Sequence, residues 1–85
     1  MRQAQIERND EGFCVEASLV GEFLNVPAAE VQTLMRSNAI TSVCERGEGP
    51  HLGRYRLTFF YRGRRLRLEV DESGHLLRRP VLRQE

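Results

Sequence analysis

Apolar and polar residues alternate near the amino end of the chain, and a period of two is typical of β-strands. Ile6 lies in the first alternating run, and Phe13 and Val15 lie in the second. The residues between the runs, 9–12, read Asn-Asp-Glu-Gly, a composition that favours a tight turn. The pattern therefore predicts a β-hairpin within residues 3–17.

The period of the apolar residues changes after this hairpin. In residues 19–24 and 28–37 they recur every three or four positions, as they do along one face of a helix. Asn25 tolerates the left-handed backbone that ends helices, and Pro27 is acceptable at a helix start, where an N–H group would have no intrahelical partner. Asn38 can end the second helix. We therefore expect two short helices joined by a tight corner.

The sequence that follows predicts strands separated by turns. Residues 40–46 are short and rich in β-branched side chains, whereas the glycine- and proline-rich segment 47–53 cannot form a regular element. Residues 54–62 and 64–71 alternate apolar and polar side chains, so each is expected to be a strand with one face in the core.

A last strand is expected from residue 75 until Pro80 stops it, because proline cannot donate to a strand ladder. The order of elements is then β-β-α-α-β-β-β-β. This order predicts an α+β fold in which a short helical pair packs on one face of an antiparallel sheet. We expect a single domain over residues 1–85, with an ordered core at about 4–79, a frayed amino terminus and a mobile carboxyl-terminal tail.

The two alternating runs at 54–62 and 64–71 are expected to form a hairpin under the helices. Its apolar positions share one face, because residues of the same parity point the same way along a strand. Thr58 has the opposite parity and is expected to face solvent. The core positions of the hairpin are predicted to be Leu57, Phe59, Leu66 and Leu68.

Two registers of this hairpin keep the apolar positions of both strands on one face, and each needs a two-residue loop. With residues 63–64 as a type II′ loop, Arg56 faces Asp71 across the strands. With residues 62–63 as the loop, Arg56 faces Glu69 instead. We prefer the first register because glycine at the first loop position suits a type II′ turn.

Positive charge is concentrated in the second half of the chain. Residues 1–40 contain three arginines and six acidic residues, whereas residues 41–85 contain ten arginines and six acidic residues, although the net charge is only +1. All thirteen basic residues are arginine. We attribute the absence of lysine to codon usage in a GC-rich genome, because a binding site would bias only its own surface.

Three arginines at the expected hairpin tip, Arg62, Arg64 and Arg65, have no acidic residue within three positions on either side. We interpret the tip as a solvated turn. The alternative is a functional contact with an anion or a nucleic acid, in which Arg36 would join the three tip residues.

The segment "SLVGEFLNVPAAEVQTLMRSNAI", together with "YRGRRL", resembles the helix-turn-helix and wing of small excisionase-like DNA-binding domains. The resemblance implies a DNA-binding regulator with a helix-turn-helix over residues 19–37 and an arginine-tipped wing over residues 55–70. The outward side of the second helix carries no net charge, whereas phosphate contacts supply most non-specific affinity for DNA. DNA binding is therefore the alternative hypothesis.

Over roughly residues 6–78 the chain also resembles a family of small uncharacterised bacterial proteins, a domain of unknown function. The stretch "MRSNAITSVCERGEGPHLGRYRLTFFYRGRRLRLEVDESG" carries the resemblance through the order of a helix, an arginine-glycine turn and an Asp-Glu-Ser-Gly turn. The resemblance implies a compact single-domain protein, and it brings no site residues with it.

Residues that commonly carry chemistry are few. Cys14 and Cys44 lack the spacing of metal ligands and are expected to be buried, free thiols. His51 and His75 lie in expected turns or strand starts, and the sequence has no phosphate-binding loop that leads into a helix. We therefore expect no metal, no cofactor and no enzymatic activity.

The sequence has no run of about 18 apolar residues and no secretory signal, which favours a cytoplasmic protein without a membrane partner. A small domain with an exposed strand edge often gains stability by pairing. The leading hypothesis is therefore a non-enzymatic binding or accessory module that acts through protein–protein contacts, with a protein partner or as a homodimer.

Overall fold

The structure is a computed structural model that describes residues 6–9 and 12–84. Its elements follow the predicted order, β-β-α-α-β-β-β-β. The helices are α1 (Ala17–Leu24) and α2 (Ala28–Arg36), and a short 3-10 turn spans Gly49–His51. The strands are β1 (Ile6–Asn9), β2 (Gly12–Val15), β3 (Thr41–Arg46), β4 (Arg54–Tyr61), β5 (Arg64–Asp71) and β6 (Val81–Gln84).

The described strands form two antiparallel sheets. β1 and β2 make a hairpin, and the other four strands pair in the order β3-β4-β5-β6. The two helices and the hairpin cover one face of the four-stranded sheet and enclose the core with it. The α+β class, with a helical pair on one face of an antiparallel sheet, is therefore confirmed. Residues 3–5, predicted to begin the first strand, lie outside the described residues, as does the expected frayed terminus.

The core lies between this covering layer and one face of β4 and β5. The predicted core positions on the two strands are all buried, which confirms their face. Phe13 of the amino-terminal hairpin packs on the same face, with its ring centroid 5.0 Å from that of Tyr55 on β4. The buried side chains of the covering layer are Ile6, Leu19, Val20, Leu24, Val26 and Val31.

Thr58 is buried, with only 4% of its surface exposed, although it lies on the sheet face away from the helices. It sits in the middle of the sheet, opposite Val43 on β3 and Arg67 on β5. Long side chains such as that of Arg67 lay their apolar stems over central positions of a sheet. The expectation that Thr58 faces solvent is therefore wrong.

The corner between the helices forms as the sequence indicates. Asn25 has a left-handed backbone, with φ of 59°, and Val26 N–H donates to the Gly21 carbonyl at 2.9 Å. A Cβ atom at Gly21 would collide with the Val26 carbonyl oxygen, so this close return requires glycine. α2 begins directly after Pro27, and Asn38, with φ of 64°, follows its end. No helix in the described ranges is long and apolar enough to cross a membrane.

The β4–β5 hairpin closes with Arg62 and Gly63 as its loop, so the preferred register is wrong and the second register is correct. Arg62 and Gly63 both have positive φ, 47° and 73°, which is the requirement of a type I′ turn. Arg56 consequently faces Glu69. This register also gives Arg64 a place in β5, where its side chain reaches α1, whereas the other register would leave Arg64 in the loop.

The last strand, β6, lies after Pro80 and not before it. Residues 75–80 make one isolated bridge, Val70 with Leu76, and β6 then pairs with the first half of β5. The residue before a proline is restricted in conformation and the proline itself cannot donate, so the ladder resumes only at Val81. The strand expected at 75–80 is therefore wrong, and residues 81–84 belong to the sheet and not to a mobile tail.

We expect Phe59→Ala to lower the free energy of unfolding by about 3–5 kcal/mol, because it leaves a cavity in the core. Leu52→Ala removes a side chain that lies outside the strands with 68% of its surface exposed, and it serves as the control, with a change within about 0.5 kcal/mol. Urea denaturation of both variants measures the two values. A similar loss in both variants would contradict the position of the core.

Candidate functional site

The three arginines of the hairpin tip do not share one face of the sheet, although the guanidinium carbons of Arg62 and Arg64 both lie within 6 Å of the Tyr61 ring centroid. Arg62 is exposed in the turn, with its guanidinium carbon 5.4 Å from the ring centroid of Tyr61. Arg64 and Arg65 are consecutive residues of β5, so their side chains lie on opposite faces of the sheet. Arg65 faces Phe60 across the strands, on the face away from the helices. The tip arginines therefore do not form one cluster.

The Arg64 side chain is half-buried and binds another part of the protein. Its Nη1 atom donates a hydrogen bond of 2.9 Å to the carbonyl oxygen of Leu24, the last residue of α1. Carbonyl groups in the last turn of a helix have no intrahelical partner, and a cation there also suits the helix dipole. Arg64 thus ties the hairpin tip to α1. The interpretation of the tip as a solvated turn fits Arg62 but is wrong for Arg64.

Arg36 is exposed in the last turn of α2, where a positive charge suits the negative end of the helix dipole. It lies in the covering layer, whereas Arg65 points away from that layer on the other side of the sheet. Arg36 and Arg65 therefore cannot contact the same small ligand. Of the four arginines predicted to contact an anion, Arg36 and Arg62 are exposed and Arg65 is half-exposed. These three lie in different parts of the surface: the last turn of α2, the hairpin turn and the sheet face away from the helices.

The sheet face away from the helices, which we term the open face, divides into two parts. The half remote from the hairpin tip carries charges of both signs and is termed the far half. The half next to the tip is termed the tip half. The far half consists of Glu45, Arg54, Arg56, Glu69 and Asp71, and the tip half of Thr41, Val43, Thr58, Phe60, Arg65, Arg67, Val81 and Arg83.

Most charges in the far half are paired with each other or with neighbouring residues. Arg56 Nη1 lies 3.8 Å from Glu45 Oε1, and Arg78 Nε lies 3.2 Å from Glu69 Oε2. These side chains border a polar cleft of about 450 Å³ that His51 also lines. Exposed ion pairs contribute little to stability, but they leave this part of the surface electrically balanced.

Asp71 organises the turn after β5. Its Oδ1 atom accepts hydrogen bonds from the backbone N–H groups of Ser73 at 2.9 Å and His75 at 3.0 Å. The His75 backbone N–H is the main cause that holds the pKa of the Asp71 carboxyl below its ordinary value. The His75 ring also lies close, with Nδ1 3.4 Å from Asp71 Oδ2. This carboxylate therefore acts as a structural acceptor.

Positive charge in the tip half has no acidic partner among the described residues. Arg65 on β5 lies directly opposite Arg83 on β6, and Arg67 is the next residue of β5 on the same face. The Nε atom of Arg67 is buried and has no hydrogen-bond partner within the described part of the chain. The sequence analysis did not single out Arg67 or Arg83. The parity of β5 could have identified Arg67, but Arg83 required a strand after Pro80.

An apolar groove of about 510 Å³ opens beside β3. β3 is an edge strand, and all six of its residues are exposed. Cys14 and Cys44 line the groove as free, exposed thiols, so their expected burial is wrong. No group of three or more potential metal ligands occurs in the residues that the structure describes. The other groove residues include Phe13, Val15, Val31, Met35, Leu57 and Phe59.

We expect Arg64→Gln to lower the free energy of unfolding by about 1–2 kcal/mol, because the half-buried, charge-assisted hydrogen bond to Leu24 is lost. Arg62→Gln, two positions away in the exposed turn, removes the same charge and should change stability by less than about 0.5 kcal/mol. Chemical denaturation measures both. Equal effects of the two variants would mean that Arg64 has no special structural role.

We also expect the stability of the protein to fall as the pH drops through and below 3.8, the ordinary pKa of this carboxyl, partly through Asp71. A carboxyl whose pKa is lowered in the folded state stabilises the fold above its ordinary value of 3.8, and this is lost as the pH falls through the folded value. Thermal unfolding of Asp71→Asn should therefore depend less on pH than that of the wild type. Glu72→Gln, in the same turn, is the control, and a wild-type-like pH dependence of Asp71→Asn would contradict this assignment.

Comparison with known proteins gives a family for the whole chain. No curated protein and no solved structure matches it. These results lend no support to the resemblance to excisionase-like domains. The family whose description reads "Family of unknown function (DUF6522)" matches residues 1–85, the full length of the chain. The chain therefore belongs to this family of unknown function, DUF6522.

Proposed function

We propose that this protein is a non-enzymatic binding module that acts through protein–protein contacts, and that its partner is a second copy of the same chain. The observation that carries the proposal is the free edge of β3. All six residues of this strand are exposed, and one edge of its backbone faces no other strand among the described residues. Unpaired backbone groups of an edge strand are a template for pairing with another strand.

The first four residues of β3 lack the features by which monomeric proteins protect edge strands, and only its last two residues, Glu45 and Arg46, are charged. The four residues Thr41–Cys44 include no charged side chain and no proline. Val43 exposes 51% of its surface on the open face. Edge strands that must stay unpaired usually carry an inward-pointing charge, a proline or a bulge. These features favour strand addition at β3.

Self-pairing of β3 brings no like charges together. An antiparallel pair about a twofold axis perpendicular to the sheet faces each residue with one of the same parity. In the register centred on Val43, this residue faces its own counterpart, Ser42 faces the counterpart of Cys44, and Thr41 faces the counterpart of Glu45. Two four-stranded sheets would then become one sheet of eight strands, with both helical layers on the same side.

The groove beside β3 gives this pairing an apolar component. The side chains of β3 with even numbers lie on the groove side, so Ser42 and Cys44 of the second copy would border the open side of the groove. A net charge of +1 adds little repulsion between two copies. A chain of 85 residues buries a small core, so additional burial stabilises it.

We also infer that the protein works in the cytoplasm, because two exposed free thiols suit a reducing compartment. The alternative proposal, a DNA-binding regulator with a helix-turn-helix over residues 19–37 and a wing over residues 55–70, is weaker. Arg64, one of the three arginines at the tip of this wing, already binds the carbonyl oxygen of Leu24.

Val43→Lys tests the dimer. We expect the wild type to be a dimer at micromolar concentration and the variant to be a monomer, because two lysines would face each other at the twofold axis. Leu52→Lys is the matched control, since Leu52 exposes 68% of its surface outside the strands and should leave the dimer intact. Light scattering after size-exclusion chromatography measures the mass, and circular dichroism verifies the fold.

A wild type that stays monomeric up to about 100 µM would overturn the proposal. If the Val43→Lys variant remained a dimer, β3 would not be the interface. Leu82→Lys, at the other sheet edge, separates the two edges, because Leu82 is exposed on β6. If Leu82→Lys dissociated the dimer and Val43→Lys did not, the interface would lie at β6.

A further inference from the structure

The tip half of the open face concentrates positive charge at a cost to the fold. Arg65 and Arg83 lie directly opposite each other on β5 and β6. Like charges at facing positions of antiparallel strands destabilise the pair. Arg67 adds a third cation two residues along β5 on the same face. Nothing in the packing of the core explains the three arginines, because all lie on the side away from it.

Arg67 is the strongest indication that the tip half binds an anion. Its Nε atom is buried, and no acceptor for it exists in the described ranges 6–9 and 12–84. A buried donor without an acceptor is destabilising, and such groups in native proteins commonly mark a site for a ligand or an ion. An acceptor that reached Arg67 from the solvent side would lie between Thr58 and Val81, its neighbours on β4 and β6.

The distribution of charge across the open face is uneven. The acidic residues of this face, Glu45, Glu69 and Asp71, all belong to the far half, where they lie among Arg54 and Arg56. A surface that serves only solubility has both signs interspersed. The tip half instead offers three cations and, among the described residues, no carboxylate. A ligand drawn by this field therefore carries negative charge at more than one point.

Phe60 gives the tip half an aromatic ring next to the cations. It faces Arg65 across the strands and is half-buried on the open face. Neighbouring strands lie about 4.8 Å apart, so Arg65 and Arg83 stand about 5 Å and 10 Å from the Phe60 strand position. One ligand can therefore touch the ring and both cations. Aromatic rings that stack bases beside cations that contact phosphates characterise proteins that bind single strands.

We propose that the tip half of the open face binds single-stranded nucleic acid, with phosphates on Arg65, Arg67 and Arg83 and one base stacked on Phe60. An unpaired base can lie flat on the sheet surface and stack on an aromatic ring, whereas the bases of a duplex are already stacked on each other. β3 and β6 are the two opposite edges of the sheet, so nucleic acid can bind near β6 whether or not a second copy pairs with β3. The inference does not rest on the dimer.

Fluorescence anisotropy of labelled 12-nucleotide oligo(dT) and oligo(U) tests the proposal. We expect binding in the micromolar range at about 50 mM salt, with weaker binding to a duplex of the same length. Arg65→Gln with Arg83→Gln should weaken binding at least tenfold and lower the slope of log K against log salt by about 1.4, since each phosphate contact contributes about 0.7. This variant should fold well, because it removes a like-charge pair.

Two matched variants separate a site from general attraction. Arg54→Gln with Arg56→Gln changes the net charge by the same amount in the far half and should weaken binding less than threefold. Phe60→Leu keeps an apolar side chain but removes the stacking surface, and it should weaken oligonucleotide binding about tenfold. Thermal unfolding of every variant verifies that the fold survives.

The absence of binding at 100 µM protein and low salt would overturn the proposal. Equal losses of oligonucleotide binding in the two double variants would show that net charge alone attracts the oligonucleotide. Unchanged binding by the Phe60→Leu variant would show that no base stacks on Phe60. Tighter binding to the duplex, lost in Arg36→Gln with Arg62→Gln, would favour the helix-turn-helix alternative. If Val43→Lys abolished the dimer but not binding, the site would stand without the proposed interface.

Discussion

The left-handed backbone of Arg62 and Gly63 closes a two-residue turn, and this turn fixes the pairing of β4 with β5. A two-residue turn allows no adjustment of the register, and a shift by one residue would exchange the two faces of the strand. With this turn in place, Leu66, Leu68 and Val70 point into the core, and Arg65 and Arg67 point to the open face. The core, the link to α1 and the charged surface therefore depend on the geometry of one turn.

The fold covers only one side of its larger sheet. The two helices and the amino-terminal hairpin pack on the face that carries Leu57 and Phe59, while the described chain places no element over the open face. The uncovered parts, the edge at β3 and the face around Phe60, are where interactions with other molecules can occur.

Periodicity predicted the element order, both helices and the core face, because burial imposes a period of two on strands and 3.6 on helices. Asn25 and Pro27 indicated the corner through their own backbone preferences. Periodicity could not choose between two registers of equal parity, because both place the same side chains on the core face. Only one of them places Arg64 in β5, where it contacts Leu24, 40 residues away. Periodicity also could not identify β3 as an edge or place β6 after Pro80, because strand order arises from tertiary pairing.

The hydrogen bond from Arg64 to Leu24 has a consequence for the kinetics of folding. The β4–β5 hairpin joins residues that are close in sequence and can form in about 1–10 µs, whereas the bond to α1 must close a loop of 40 residues. Contacts of long sequence separation tend to form after local ones, since they carry a larger loss of chain entropy. An interaction that forms after the transition state slows unfolding and leaves the folding rate nearly unchanged. Arg64 would then lengthen the lifetime of the native state.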